Sequence, residues 1–350
     1  MLTWLVARAS WAQATSKAQV VVAQNGSGDF QTIQAAINSL ATAGGPLPVV
    51  FVKNGIYHEK VTVDGMPGLV LRGQSERGVV ITISQSNAGF RCDPANATRW
   101  DVATLNLRNS PDVTLEKLTV VNSYGADHPQ GETIACPGAP NGQKTVASAD
   151  HQMALYTAAN TTRLRVQHCT FRTLGNDTVS PWDKETGMYY FKDCTLEGSV
   201  DFYCPRGWAY AENCRFICHN LNAAIWHDGS ANWEAKTVLK NCTFSGDAGF
   251  KLGRYHHEAQ FYLLNCRFAR TMADADIYPA PSGDSAPRWG RRVYYYNCHR
   301  QGGDYSWLRN NLDTADQAPT PEQITANWTF GGHWNVDPNA PPLPAPPPSK

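Results

Sequence analysis

The chain has 350 residues, with thirty basic and thirty acidic side chains and therefore no formal net charge. That balance, without any Lys/Arg-rich run, excludes a phosphate-tracking surface and gives no reason to expect a nucleic-acid partner. No stretch of about 20 apolar residues is available to span a membrane as a helix, so no membrane partner is expected either.

Residues 1–18 form a leader. Ala12-Gln13-Ala14 resembles an A-x-A cleavage site, but the apolar run before it is short and broken by Arg8. A remnant of an export signal and a plain leader both fit. The former implies a secreted or periplasmic protein.

Val20-Val21-Val22 is a strand, and residues 29–41 are predicted as a helix because Ile33, Ile37 and Leu40 share one face. Short strands follow at residues 48–52, 61–63, 69–71 and 79–83, and Val113, Leu115, Leu118 and Val120 mark another. Residues 125–147 are rich in Gly, Pro and polar side chains and show no periodicity, as in a long functional or mobile excursion. Cys92 lies before this excursion and Cys136 within it. They can pair in an exported protein, although the sequence does not give their distance.

From about residue 160 to 300 one phrase recurs. It appears as His168-Cys169-Thr170-Phe171, Asp193-Cys194-Thr195-Leu196, Asn213-Cys214-Arg215-Phe216, Asn241-Cys242-Thr243-Phe244, Asn265-Cys266-Arg267-Phe268 and, worn, Asn297-Cys298-His299. The cysteines are spaced by 25, 20, 28, 24 and 32 residues, which is a solenoid period. Within each unit apolar and polar residues alternate, and no helical segment intervenes, so the unit is a turn of β-strand. The fold predicted is all-β: a right-handed parallel β-helix capped by the N-terminal helix. Stacked coils turn the Cys and Phe into inward ladders. A zinc or disulfide framework is the alternative, but metal sites want paired CxxC and here each coil has one Cys. His219, His227, His256 and His257 show no metal-ligand spacing, and no G-x-S-x-G nucleophile motif is present, so neither metal nor cofactor is expected.

Stacking also brings polar residues together. Asp177 lies eight residues after Cys169 and Asp201 seven after Cys194, at nearly the same place on consecutive coils. Adjacent strands are about 4.7–4.9 Å apart, so the two carboxyls become neighbours. One pKa should then rise while the other stays low, giving an acid and a nucleophile. Two solvent-facing turn aspartates are the plain alternative.

Gly175-Asn176-Asp177-Thr178-Val179, followed by Gly198-Ser199-Val200-Asp201-Phe202, resembles the paired QDTL and GTVDF signature of pectin methylesterases. Other segments match that family in order. They are the run from Gly26 through Phe30 to Ile37, Gly55-Ile56-Tyr57-His58-Glu59-Lys60-Val61, His151-Gln152-Met153-Ala154-Leu155, and Leu252-Gly253-Arg254. Together they span most of residues 20–270 and form one esterase domain over 19–336. The resemblance implies hydrolysis of methyl esters of polygalacturonate, with an acidic polysaccharide as partner and a monomeric enzyme. It makes Asp201 the nucleophile and Asp177 the general acid and later base. Arg254 pairs with Asp201 to hold its pKa down, and Gln152 and Asn176 donate to the oxyanion.

The sequence departs from the family in the shell around that pair. Asn176 replaces Gln, and about three extra residues separate the aspartates, within the turn at 180–187. Tyr255-His256 stands where Pro-Trp is usual, and Tyr203-Cys204-Pro205-Arg206-Gly207-Trp208 replaces IFGNA. Substrate contact is expected from Phe202, Tyr255, Trp208 and Trp226, with an aromatic to stack the sugar in place of the missing Trp. Three other readings stay open: an esterase for a different uronate ester, a β-helix polysaccharide lyase, and a non-catalytic carbohydrate-binding solenoid.

Beyond the ladder, Thr320-Pro321-Glu322-Gln323 has the residues of a helix start. Residues 337–350 are dominated by Pro and are expected to be a disordered tail.

Overall fold

The computed structural model describes residues 19–41, 49–230, 232–280 and 288–336. The leader at 1–18 and the Pro-rich tail at 337–350 lie outside the described residues.

Stacked coils pass through three faces of parallel strands. A ten-stranded face runs from Gln19–Val22 to Arg292–Tyr296, and a nine-stranded face from Gly55–Tyr57 to His299–Arg300. The third face comes in two pieces. Val61–Asp64, Leu105–Arg108, Leu155–Thr157 and Val179–Pro181 make the first, and Ala223–His227, Lys251–Tyr255 and Tyr278–Pro279 the second. Among the described residues, isolated bridges at Tyr203, to Val179 and to Ile225, are the strand pairing that joins them. The chain is a parallel β-helix.

The recurring phrase acquires a physical meaning at the turn between the ten- and nine-stranded faces. His168, Asp193, Asn213, Asn241, Asn265 and Asn297 all have φ between 50° and 55°, the left-handed region that short polar side chains tolerate best. Their side chains form a ladder from coil to coil: Asn213 Nδ2 donates to Asp193 Oδ1 (3.1 Å), Asn241 to Asn213 (3.3 Å), Asn265 to Asn241 (3.0 Å) and Asn297 to Asn265 (2.8 Å). The next residue turns inward, where only a small side chain fits. Each thiol there donates to a backbone carbonyl, as Cys194 Sγ does to Lys192 O (3.2 Å) and Cys242 Sγ to Lys240 O (3.3 Å). All six ladder cysteines are buried and unbridged, as the repeat predicts. Burial raises the thiol pKa of Cys169, Cys194 and Cys214, which keeps them protonated. Two residues on, Phe216, Phe244 and Phe268 stack with ring centroids 4.5 and 5.3 Å apart.

The capping helix is Ile33–Ala41, four residues shorter at its start than the pattern suggested. Asp29 is committed elsewhere, its Oδ2 accepting from Val21 N (2.9 Å), and Phe30 bridges Val22. Glu59 caps the helix from the third face, accepting from Ile33 N (2.8 Å) and Gln34 N (2.9 Å). Gln34 then serves as a surrogate strand, bonding Thr62 N (2.7 Å) and Thr62 O (3.1 Å) at the edge of that face.

Cys92 and Cys136 form a disulfide, which fastens the excursion to the short helix Asn87–Cys92. The excursion is less irregular than its sequence, since Glu132–Ala135 and Gln143–Val146 pair as an antiparallel hairpin. At the C-terminus no helix starts at Thr320. Gln323 Oε1 does accept from Thr320 N (2.7 Å), but Ile324 is drawn into an apolar cluster on the outside of the ten-stranded face, and the helix forms at Ala326–Thr329, capped by Thr325.

Candidate active site

The site lies where the third face is interrupted. Asp177 and Asp201, on consecutive coils, both hold left-handed backbone, with φ of 59° and 52°. Each amide donates to the following coil, Asp177 N to Val200 O (3.3 Å) and Asp201 N to Ala223 O (2.7 Å). These pairings maintain a conformation that is costly for a non-glycine residue. Both side chains are mostly buried.

Their surroundings differ. Asp201 is clamped bidentately by Arg254, with Oδ1 to Nε at 3.0 Å and Oδ2 to Nη2 at 2.6 Å. Asp177 has no such clamp; the imidazole of His151 lies nearby, with its Nε2 3.9 Å from Oδ2. Burial pushes the Asp177 carboxyl above the ordinary range, and the charges of Asp201 and Asp228 add to the rise, against His151 and Arg206. Burial raises Asp201 as well, and Arg254 offsets only part of that. The expectation of one high and one low carboxyl is corrected accordingly. What separates the pair is the guanidinium clamp.

The amides fall out unequally. Asn176 Oδ1 accepts from Val200 N (3.3 Å), and among the described residues its NH2 has no hydrogen-bond partner. Gln152 is fully buried; its Oε1 accepts from Gly125 N (2.9 Å) and its Nε2 donates to Ser148 O. Gly175 is required beside it, because a Cβ there would come within 2.2 Å of Asp150 O and 2.5 Å of Gln152 Nε2.

Three of the four aromatic expectations are overturned by burial. Phe202 and Tyr255 are inside the coil core, at 0% and 2% exposure, on the inward side of the chain next to outward Asp201 and Arg254. Trp208 lies on the ten-stranded face, under the C-terminal cluster with Phe330 and Ile324. Only Trp226 remains at the site, half-buried, with the Arg254 guanidinium 5.2 Å from its ring and His256 edge-on at 4.3 Å.

The chemistry missed in the sequence is cationic. Arg206 is 3% exposed and donates Nη1 to Ser180 Oγ (2.9 Å) and Cys204 O (2.8 Å). Its guanidinium lies 3.7 Å from the Trp182 ring, and Asp228 joins it to Lys184 (2.9 Å) and His256 (3.6 Å). Burial and Arg206 push His227 down to about 4, so this imidazole is neutral at physiological pH. The replacement of IFGNA by a segment containing Arg was the one signal that marked this region.

The pectinesterase family model matches residues 19–173. The chain is 30% identical over 345 residues to probable pectinesterase 49 of Arabidopsis thaliana, covering 93% of this chain and 82% of that relative. Among solved structures it is similar to a pectin methylesterase from Erwinia chrysanthemi, with a TM-score of 0.69, 22% identity, and 93% and 98% of the two chains covered. It is also similar to a pectin methylesterase solved with a hexasaccharide, with a TM-score of 0.71, 21% identity, and 92% and 98% covered. These structural likenesses bear on the fold. The class defined is that of β-helical carboxylic ester hydrolases. Within it, the chain belongs to the pectinesterase family.

Proposed function

We propose that the protein hydrolyses methyl esters of polygalacturonate, releasing methanol, with Asp201 as nucleophile and Asp177 as general acid and base. The observation that carries this reading is the asymmetric carboxyl pair: Asp201 clamped by Arg254, Asp177 buried without a guanidinium partner. The Arg254 clamp favours the anionic form of Asp201, and burial favours the protonated form of Asp177.

In the first step Asp201 attacks the ester carbonyl. The resulting tetrahedral oxyanion collapses with cleavage of the bond to methoxide, which takes the Asp177 proton and leaves as methanol. In the second step Asp177, now anionic, removes a proton from water. That water attacks the acyl carbon of the mixed anhydride, releasing the uronic acid and restoring the Asp201 carboxylate. The free NH2 of Asn176 is our candidate oxyanion donor. Gln152 is assigned mainly to holding the turn of Gly125, because both ends of its amide already have protein partners.

The groups named are supplied by one chain, which supports action as a monomer on an acidic polysaccharide. The Cys92–Cys136 disulfide supports a secreted or periplasmic location. The test is incubation of the wild type with methyl-esterified polygalacturonate, following methanol and ultraviolet absorbance together. Methanol without unsaturated product supports the hydrolase. Calcium-dependent absorbance without methanol would mean a lyase, and binding without either product a carbohydrate-binding solenoid.

A further inference from the structure

Successive coils carry the charged groups of the site in a fixed order. His151 bridges Asn176 in parallel, Asp177 N bonds Val200 O beside Asp201, Asp201 N bonds Ala223 O, and Trp226 on that strand stands in register with Arg254. The carboxyl pair is therefore bracketed, with an imidazole on the side of Asp177 and a guanidinium on the side of Asp201. The guanidinium is a permanent charge. An imidazole is the side chain whose charge ordinarily changes between about pH 5 and 8.

The backbone under His151 is fixed from two directions. Its carbonyl accepts from Asn87 N (2.8 Å), at the start of the short helix fastened by the disulfide, and on the next coil Asn176 O accepts from Gln152 N (3.1 Å). The imidazole itself is 47% exposed, with Nε2 3.9 Å from Asp177 Oδ2, and makes no hydrogen bond among the described residues. At that separation the two groups act on each other through charge, and the exposed edge can exchange protons with solvent. The other charged groups around the pair are committed. Asp150, the chain neighbour of His151, is turned to Ala88 N (2.9 Å). Asp201 is clamped by Arg254, and Arg206 and Asp228, which also act on Asp177, face each other at 3.9 Å.

Acylation moves the negative charge of the site. In the resting pair it is on Asp201, beside Arg254. Once Asp201 is acylated and methoxide has taken the Asp177 proton, it is on Asp177, which is mostly buried and has no guanidinium clamp. A buried anion needs a counter-charge, but a permanent cation at that place would strip Asp177 of the proton it must give. We propose that His151 is the titratable counter-charge of Asp177: neutral while the carboxyl holds its proton, and imidazolium while the carboxylate awaits water. One proton enters His151 from solvent in the first stage and returns to solvent when Asp177 takes the proton of water, so the cycle balances. His151 is a positioning residue that acts through Asp177, and its role rests on the proposed ester hydrolysis. The electrostatics agree in direction: burial pushes the Asp177 carboxyl up, and the charge of His151 is the largest influence holding it down.

The test compares His151→Gln, which has no charge to give, with His151→Arg, which has a permanent one, in methanol release from methyl-esterified polygalacturonate across pH. The alkaline limb of kcat/KM, where Asp177 loses its proton, is expected to move up by about one pH unit in His151→Gln and down in His151→Arg, with KM at the optimum little changed. Carbon-13 NMR of the Asp177 carboxyl in the folded proteins reads the same coupling without turnover: its titration moves up in His151→Gln and down in His151→Arg. An equal loss of kcat in both variants with neither limb moved would mean a merely structural histidine. An Asp177 titration unchanged in His151→Gln overturns the coupling even if methanol is released, and one unchanged in His151→Arg means a fixed cation and overturns the switch. Opposite shifts in a protein that releases no methanol keep the coupled His151 and Asp177 and reject the hydrolysis.

Discussion

The two corners of each coil follow opposite rules. Between the ten- and nine-stranded faces, the turns from Cys169 to Cys298 repeat a left-handed His, Asp or Asn and an inward thiol, mostly with a Phe two residues on, so each coil is satisfied by its neighbour. Before the third face, left-handed backbone falls on Asp177 and Asp201, ladder pairing thins to isolated bridges, and buried charges sit side by side. Repetition at one corner over-determines the coil, so it can tolerate strain and desolvated charge at the other. Stability should therefore reside at the repeated corner, and activity at the exceptional one.

Asp177→Asn should separate these most clearly. Methanol release is expected to fall by about 10²–10⁴-fold, the usual worth of general acid–base assistance. Stability should move the other way. The Asp177 carboxyl titrates above its ordinary 3.8 in the fold, so the folded state holds this proton more tightly than the unfolded chain. Its penalty is absent below 3.8, is complete above the raised pKa, and grows as pH rises between them. The variant should melt higher than wild type at neutral pH, with the gain vanishing as pH approaches 3.8; a lower melting temperature at pH 7 would contradict the assignment.

Phe244→Ala, at the repeated corner, should cost about 3–5 kcal/mol of stability, because it opens a cavity between Phe216 and Phe268. Its kcat at a temperature where it remains folded should stay near wild type. Denaturant melts and kinetics on the same sample decide this. Arg254→Ala should lower activity about tenfold for each pH unit below the new Asp201 pKa, since loss of the clamp raises that carboxyl further and its ionised fraction recovers only with increasing pH. A pH-independent loss would mean that Arg254 contacts substrate instead. The smallest effect is expected for Asn241→Ala, which breaks the bonds to Asn213 and Asn265 and places Ala at φ 55°, for about 2 kcal/mol. Asn241→Gly should recover part of that, because glycine has no Cβ to clash.

The repeated corner was legible because its period is visible in the residues: six Cys, with Asn, Asp or His before them and mostly Phe two residues after. The carboxyl pair and Arg254 were legible from spacing and resemblance. The surrounding shell was not, because it depends on which way single residues face. Strand alternation alone could have turned Tyr255 inward once Arg254 faced outward. Phe202 followed by buried Tyr203 defies alternation, since the face is broken there. Trp182 and Arg206 follow no period; they meet only because successive coils stack a residue of one turn on the next.

The most direct test of the central claim is methanol release from methyl-esterified polygalacturonate by the wild type and by Asp201→Asn, with both folds verified by circular dichroism. Steady release by the wild type and its abolition in the variant are predicted, because the amide keeps the shape of the carboxylate and loses its nucleophilicity. Near wild-type release by Asp201→Asn would contradict the account.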